Sequence, residues 1–459
     1  MKSVVNKYSC PFALFVFGVI LASCTGNAYQ NAVPKDCVAL AALEMESLSA
    51  LGGGDQRQMA DIFHVDNMDH CGLDFSSPFY LFESRDGDFG FCAKVDDVDD
   101  VKNWLDKDLA KSGKCKKREE RKGFTFAEWD GNWLIGCSDE AFLMMGPVLP
   151  AAMAQLQQKM VKYLSQDAEK GMKESRLTEV IDTMAAPVRL VARLSALPPV
   201  VTMPFAFGIP KTAGENDAYL KAEITKKDNR LVVEGATFSF KEKLNEEIQK
   251  TQKQLLPIGD KYLRTVPDST LATAFAHVEG PSFLELIHTN KGLETVLTGA
   301  NLAIDMDNII RSMDGDIFIA YFPSKGKEKR FAMAAQLKNT DFLKDVDYWK
   351  TSCPKGTHID NKGQNSFLFT GGEYELFFGV SDDNSMFFAA TSEALAHSLL
   401  NNSSSSLSKE TTELIKGRKL ALCLNNKVLN GSSDETASLV LSMLNAFFGD
   451  TSQILFFLQ

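Results

Sequence analysis

Apolar and polar positions alternate through much of this chain, and the alternation predicts short β-strands joined by tight turns. Residues 78–83 and 89–95 are apolar strands around the turn Arg85-Asp86-Gly87-Asp88, and residues 316–322 and 330–337 form a similar pair around 324–328. Each pair is followed by a helical pattern. In residues 97–105, Val98, Val101, Trp104 and Leu105 fall on one face, with aspartates in the first turn where the helix dipole favours them. Residues 339–346 repeat that arrangement.

The order of these patterns recurs. Val33-Pro34-Lys35-Asp36 leads into a strand over 37–44 and a helix from Met45, while Val266-Pro267-Asp268-Ser269 leads into a strand over 270–278 and a helix over 281–287. A hairpin over 124–129 and 133–137, with a helix over 138–145 capped by Ser138, is matched to a hairpin over 374–380 and 386–390, with a helix over 391–399 capped by Thr391. Helix 177–184, strand 187–194 and hairpin 218–225/231–240 extend the first series. Strand 418–424, a helix over 439–448 and strand 453–458 close the second. Long helical stretches are expected over 144–164 and 240–255, and loops over 198–214 and 401–408.

These elements predict an α+β fold of two tandem, related lobes, each made of antiparallel sheets covered by helices, over residues 33–255 and 256–459. A chain of 459 residues has material for two cores. In front of the lobes, Lys2 and Lys7 precede a short apolar run over 11–22, then Leu21-Ala22-Ser23-Cys24. The run is too short for a permanent span and suits an export signal. Residues 1–23 are therefore read as a signal peptide that resembles those of bacterial lipoproteins. The resemblance makes Cys24 the acylated mature N-terminus, holding the chain to a lipid bilayer through a tether over 24–32.

The order of motifs also resembles a family of exported Bacteroidetes lipoproteins described only as domain of unknown function 4836. Val33-Pro34-Lys35-Asp36, Gly72-Leu73-Asp74-Phe75-Ser76-Ser77-Pro78, Gly90-Phe91-Cys92-Ala93-Lys94-Val95-Asp96-Asp97 and Trp129-Asp130-Gly131-Asn132-Trp133 carry the resemblance. It implies an envelope location, with the outer membrane expected and its face open, and it brings no reaction.

Net charge is −11, becoming −13 once Lys2 and Lys7 leave with the signal, which argues against nucleic acid as a partner. Nine cysteines are present, seven of them beyond Cys10 and Cys24, and no CxxC pair occurs; most sit in apolar runs as core thiols, with a bond from Cys71 to Cys92 or Cys115 left open. The basic run 114–122 reads as a solvated loop.

No catalytic, cofactor-binding or metal-ligating residue is assigned. His64-Val65-Asp66-Asn67-Met68-Asp69-His70-Cys71 is rich in ligand types, yet its spacing fits a polar turn better than a metal site. Gly52-Gly53-Gly54 lacks the lysine of a phosphate loop, and there is no GxSxG. A binding or scaffold role is expected, with an envelope protein or glycan as partner and Trp129, Trp133, Phe205, Phe207, Tyr374, Phe377 and Phe378 as candidate ligand-surface residues. The alternative is a hydrolase acting on an envelope or glycan polymer through a carboxylate pair, which 60 acidic residues leave unselected.

Overall fold

The computed structural model describes residues 27–51, 70–111, 113, 115–197, 202, 205–206, 209–210, 213–214, 216–266, 269–289, 294–295, 297–298, 301, 304–325, 328–371, 374–400, 407–429 and 448–459. The signal segment, Cys24, residues 64–69, Phe207 and most of the helix expected over 439–448 lie outside them. The fold is α+β, with nineteen strands among the described residues, mostly paired antiparallel, and helices interspersed. Among the described residues no helix is long and apolar enough to cross a membrane.

The chain divides between Ala192 and Arg193. The first unit runs β1 (Ala39–Leu43), α1 (Met45–Leu51), β2 (Phe79–Glu83), β3 (Phe89–Lys94), α2 (Val98–Trp104), β4 (Glu119–Arg121), β5 (Phe124–Trp129), β6 (Trp133–Cys137), β7 (Ala141–Gly146), α3 (Met153–Leu164), α4 (Arg176–Ile181) and β8 (Val188–Arg193). Its strands pair antiparallel in the order β4-β5-β6-β7-β3-β2-β1-β8. Because side chains alternate across a strand, neighbouring aromatics serve opposite faces. Phe82 meets Tyr163 of α3 on one face, with ring centroids 6.4 Å apart, while Phe91, Phe142 and Trp104 of α2 cluster on the other.

The start of α2 follows from its sequence. Asp97 Oδ1 accepts from the N–H groups of Asp99 (2.8 Å) and Asp100 (3.1 Å), two donors that the first turn would otherwise leave unpaired. Val101, Trp104 and Leu105 are then buried on one side.

The second unit runs β9 (Tyr219–Lys227), β10 (Arg230–Phe238), α5 (Glu242–Gln252), β11 (Ala272–Glu279), α6 (Gly280–Thr289), α7 (Met306–Arg311), β12 (Met313–Lys325), β13 (Glu328–Leu337), α8 (Val346–Ser352), β14 (Thr357–Gly363), β15 (Ser366–Gly371), β16 (Tyr374–Val380), β17 (Met386–Ala390), α9 (Glu393–Leu400), α10 (Lys409–Ile415), β18 (Leu420–Asn425), α11 (Asn426–Leu429) and β19 (Gln453–Leu458). Its strand order is β14-β15-β16-β17-β13-β12-β11-β18-β19-β10-β9. β10 and β19 run parallel, and the other pairings in this series are antiparallel. Phe275, Phe318, Ala320, Phe388 and Phe457 pack under α9 and α10 on one face. Ile317, Ala335, Phe378 and Phe387 pack with Phe342 and Trp349 on the other.

Several expectations change. The division falls at 192/193 and not at 255/256, because the β9–β10 hairpin pairs with the terminal strand β19 and so belongs to the second unit. Ala28–Ala32, expected within the tether, is a 3-10 turn with Tyr29 buried and its hydroxyl donating to Pro78 O at 2.9 Å. Residues 141–146 are strand β7 and not a helix; Ser138 Oγ accepts from Ala141 N–H (3.0 Å) in the turn before it. The cap of α9 is Ser392, whose Oγ accepts from Leu395 N–H at 3.3 Å, whereas Thr391 Oγ1 accepts from Phe331 N–H. Part of the basic run forms the exposed strand β4. The Cys71 bond is not formed, since Cys92 and Cys115 are free thiols.

Candidate functional site

Each unit has a cavity lined by described residues. The first, about 400 Å³, lies between β5, β6 and α3. Its polar groups are engaged with one another: Lys116 pairs with Glu128, and Gln157 donates to Glu119 Oε1 (2.7 Å) while accepting from Arg121. A ligand there would have to displace these contacts.

The second cavity, about 710 Å³, lies in the second unit between the loop after residue 258, the β14–β15 and β16–β17 turns, and α9. Asp316, from behind the lining, holds the loop that forms one wall. This carboxylate is 4% exposed and stands opposite His277 in the β11–β12 register. Gly259 N–H donates to its Oδ1 (2.8 Å), Lys261 N–H donates to its Oδ2 (3.2 Å), and His277 Nδ1 lies 2.8 Å from Oδ1. Buried charge persists only when its acceptor sites are filled in this way. The consequence is positional: the loop is pinned to the sheet, and its next side chains, Lys261 and Tyr262, line the cavity.

Tyr262 is itself 4% exposed, with its ring 5.2 Å from Phe318 in the core. Its hydroxyl is buried and has no hydrogen-bond partner among the described residues. Burial, with the charges of Asp316 and Asp383 adding to it, pushes the phenol pKa far up and keeps the proton on oxygen. Asp383 lines the same cavity.

Asp383 sits in the β16–β17 turn. Its Oδ1 accepts from Ser381 Oγ (2.6 Å) and from Ser385 N–H (3.1 Å), and the Ser385 hydroxyl also bonds it, so the pKa falls to about 2. Asp382, Gln364 and His397 lie around the rim, with Val380, Met386 and Leu399 as apolar lining. His397 Nε2 is 3.7 Å from Glu393 Oε1, one turn back on α9.

The aromatic candidates do not converge. Trp129 and Trp133 face one another across β5 and β6 in the first unit, both half-buried, with Trp129 Nε1 buried and unpartnered among the described residues. Phe205 and Phe378 are 1% exposed and serve the core of the second unit, which removes them from a ligand surface. The Phe205 ring fills the space over Gly235, and its carbonyl accepts from the Thr237 hydroxyl. Phe377 is partly buried against the core under α9, and Tyr374 opens β16 with its side chain outside the description. Sequence reasoning missed Tyr262, Lys261 and Asp383. Ser381-Asp382-Asp383-Asn384-Ser385 gave only a turn signal, and the loop that carries Tyr262 had none.

Among the described residues no group of three or more His, Cys, Asp or Glu side chains is placed to hold a metal ion. Among the described residues the carboxylates with a displaced pKa, Asp74, Asp86, Asp260, Glu279, Asp383 and Glu410, are all displaced downward. A carboxyl serving as the general acid of glycoside hydrolysis needs the opposite displacement.

A family model described as domain of unknown function (DUF4836) matches residues 45–410, and the chain belongs to that family. No curated protein and no solved structure matches the chain.

Proposed function

We propose that this DUF4836 member is an exported Bacteroidetes lipoprotein, held to the outer membrane through acylated Cys24 and built from two tandem copies of one α+β unit for a binding or scaffold role. The observation that carries the binding role is the cavity of about 710 Å³ in the second unit, where Lys261, Gln364, Asp382 and Asp383 stand beside apolar Val380, Met386 and Leu399. Clefts of this size with a few convergent polar groups are the usual form of small-ligand sites. Among the described residues no carboxylate is displaced upward, as the acid of a carboxylate-pair hydrolase would be, and this favours the binding role over that alternative.

The tandem reading is supported strand by strand. The series β4-β5-β6-β7-β3-β2-β1-β8 has the same order as β14-β15-β16-β17-β13-β12-β11-β18. Irregular contacts recur at the corresponding places, and a shared fold class alone does not require that. Val38 N–H donates to Glu83 O at 2.8 Å, and Leu271 N–H donates to Tyr321 O at 2.7 Å. Val95 N–H donates to Glu140 O, and Leu337 N–H to Ser385 O, both at 3.0 Å. Ser138 Oγ accepts from Ala141 N–H just as Ser381 Oγ accepts from Met386 N–H. Gly136 pairs with Leu143 as Gly379 pairs with Phe388, and Ser175 caps α4 as Ser408 caps α10. The β5–β6 hairpin of the first copy thereby corresponds to β15–β16, one strand earlier than the β16–β17 pair that the sequence pattern suggested.

Anchoring rests on Leu21-Ala22-Ser23-Cys24 behind its short apolar run. Replacing Cys24 with Ala should move the protein from the membrane to the soluble fraction. Retention of acyl label and membrane association by that variant would overturn the anchor.

A further inference from the structure

We propose that the first unit lies directly against the lipid bilayer, with the face around the 3-10 turn Ala28–Ala32 turned to the headgroups. This rests on the acylation of Cys24 proposed above and adds to it which surface the anchor holds down. The turn is locked from both sides. Tyr29, 1% exposed, donates its hydroxyl to Pro78 O, Gln30 Nε2 donates to Tyr80 Oη at 2.9 Å, and the Cys92 thiol reaches Tyr29 O at 3.5 Å. On the other side Gln166 donates to Asn31 O, Lys35 N–H donates to Lys170 O (3.0 Å), and Lys35 Nζ donates to Glu169 O (2.9 Å). Asn31 and Gly171 approach so closely that a Cβ on Gly171 would lie 2.7 Å from Asn31 Cα. Chain termini are ordered where such contacts tie them down, and here the ties begin at Asn27, whose carbonyl accepts from Gln30 N–H at 3.2 Å.

Covalent geometry sets the reach of the anchor. Cys24 and Asn27 are three residue steps apart, and at no more than about 3.6 Å a step their Cα atoms lie within about 11 Å of one another. A lipid-bearing cysteine sits at the headgroups, so Asn27 and its surroundings are kept close to them. The other face of the sheet points away. Tyr29 packs with Tyr80 on the α3 side, whereas Phe89 projects from the opposite side with Phe91, beside the β2–β3 turn. Residues 167–174, exposed except for Gly171 and Met172, hold two lysines against three acids, and Lys35 stands beside Asp36. Such near balance gives no electrostatic pull toward anionic lipid, so the shortness of the anchor and not charge sets the orientation.

The test uses the full chain extracted from membranes, with Cys353→Ser to remove the half-buried thiol and one fluorophore at Ala168→Cys or at Phe89→Cys, both exposed positions. The mass of the N-terminal peptide is read on each preparation. Each variant is reconstituted in phosphatidylethanolamine–phosphatidylglycerol vesicles that carry a short-range nitroxide quencher on the headgroup. Quenching at Ala168→Cys should exceed that at Phe89→Cys by about twofold or more, at about 0.1 M salt and at about 1 M alike. A Gly-Ser linker of about 20 residues inserted after Gly26, with a root-mean-square span of about 25 Å, should erase the difference. If Ala168→Cys folds poorly, Lys173→Cys takes its place in the same patch. Equal quenching at the two positions in acylated protein, or a difference that survives the linker, would overturn the orientation and leave the anchor standing. Protein that bears no acyl mass and does not float with the vesicles would count against both.

Discussion

Asp316 holds the cavity wall in place, and its removal should destabilise the second unit by a calculable amount. The carboxylate accepts backbone N–H groups from Gly259 and Lys261 and faces His277 Nδ1, at 4% exposure. A hydrogen bond to a charged group contributes about 1.5–3 kcal/mol. Asp316→Ala forfeits two such bonds and leaves two backbone donors unpaired, offset in part because the charge need no longer be buried. Losses from breaking buried charge networks run at about 3–5 kcal/mol, and that is the expected value here. Asp316→Asn keeps one carbonyl acceptor and should lose about 1–3 kcal/mol, while His277→Ala, which spares both backbone contacts, should lose about 1 kcal/mol. Urea unfolding followed by circular dichroism measures this as a shift in midpoint at unchanged slope. A loss below about 1 kcal/mol for Asp316→Ala, or one no larger than that of His277→Ala, would refute the reasoning.

Three further outcomes follow from local geometry. A Cβ at Gly379 would lie 2.3 Å from Asn365 O on the neighbouring backbone, whereas at Gly136 it would meet the Phe126 ring edge at 2.7 Å; Gly379→Ala should therefore lower the melting temperature more than Gly136→Ala, and the reverse order contradicts the packing. Burial pushes the Cys37 and Cys423 thiols up to about 12, while Cys353 is only half-buried; iodoacetamide at pH 8 should label Cys353 first, and equal labelling of Cys37 in the native state would contradict it. Hydrogen bonds from Ser381 and Ser385 lower the Asp383 pKa from 3.8 to about 2, so its contribution to stability is complete above the ordinary aspartate value and is lost as pH falls from about 4 towards 2. Asp383→Asn should flatten the fall in melting temperature over that window, and an unchanged slope would show that the turn does not depend on the charge.

Local patterns revealed the elements whose causes are local. The α2 helix could be read because Asp97 caps it and Val101 and Trp104 share a face, and the β2–β3 hairpin because its turn carries Gly87 between alternating strands. Strand β7, Ala-Phe-Leu-Met-Met-Gly, is apolar throughout and so shows no period of two; it is buried on both faces and resembles a helix in composition. Strand β14 failed for the opposite reason, since Thr357–Gly363 is largely exposed and alternates nothing. The parallel match of β10 with β19 joins residues far apart in the chain, and no local signal encodes it. The cavity was hidden for the same reason. Tyr262 and Asp383 come from separate segments, and only the fold, with Asp316 of β12 pinning the 259–261 backbone, brings them to one cavity.

The central claim, an envelope protein held by lipid at Cys24, is tested most directly by the mass of its mature N-terminal peptide. Protein extracted from membranes should begin at Cys24 and carry the added mass of a diacylglyceryl group on that cysteine. An intact signal segment, or an unmodified N-terminus at another residue, would contradict it.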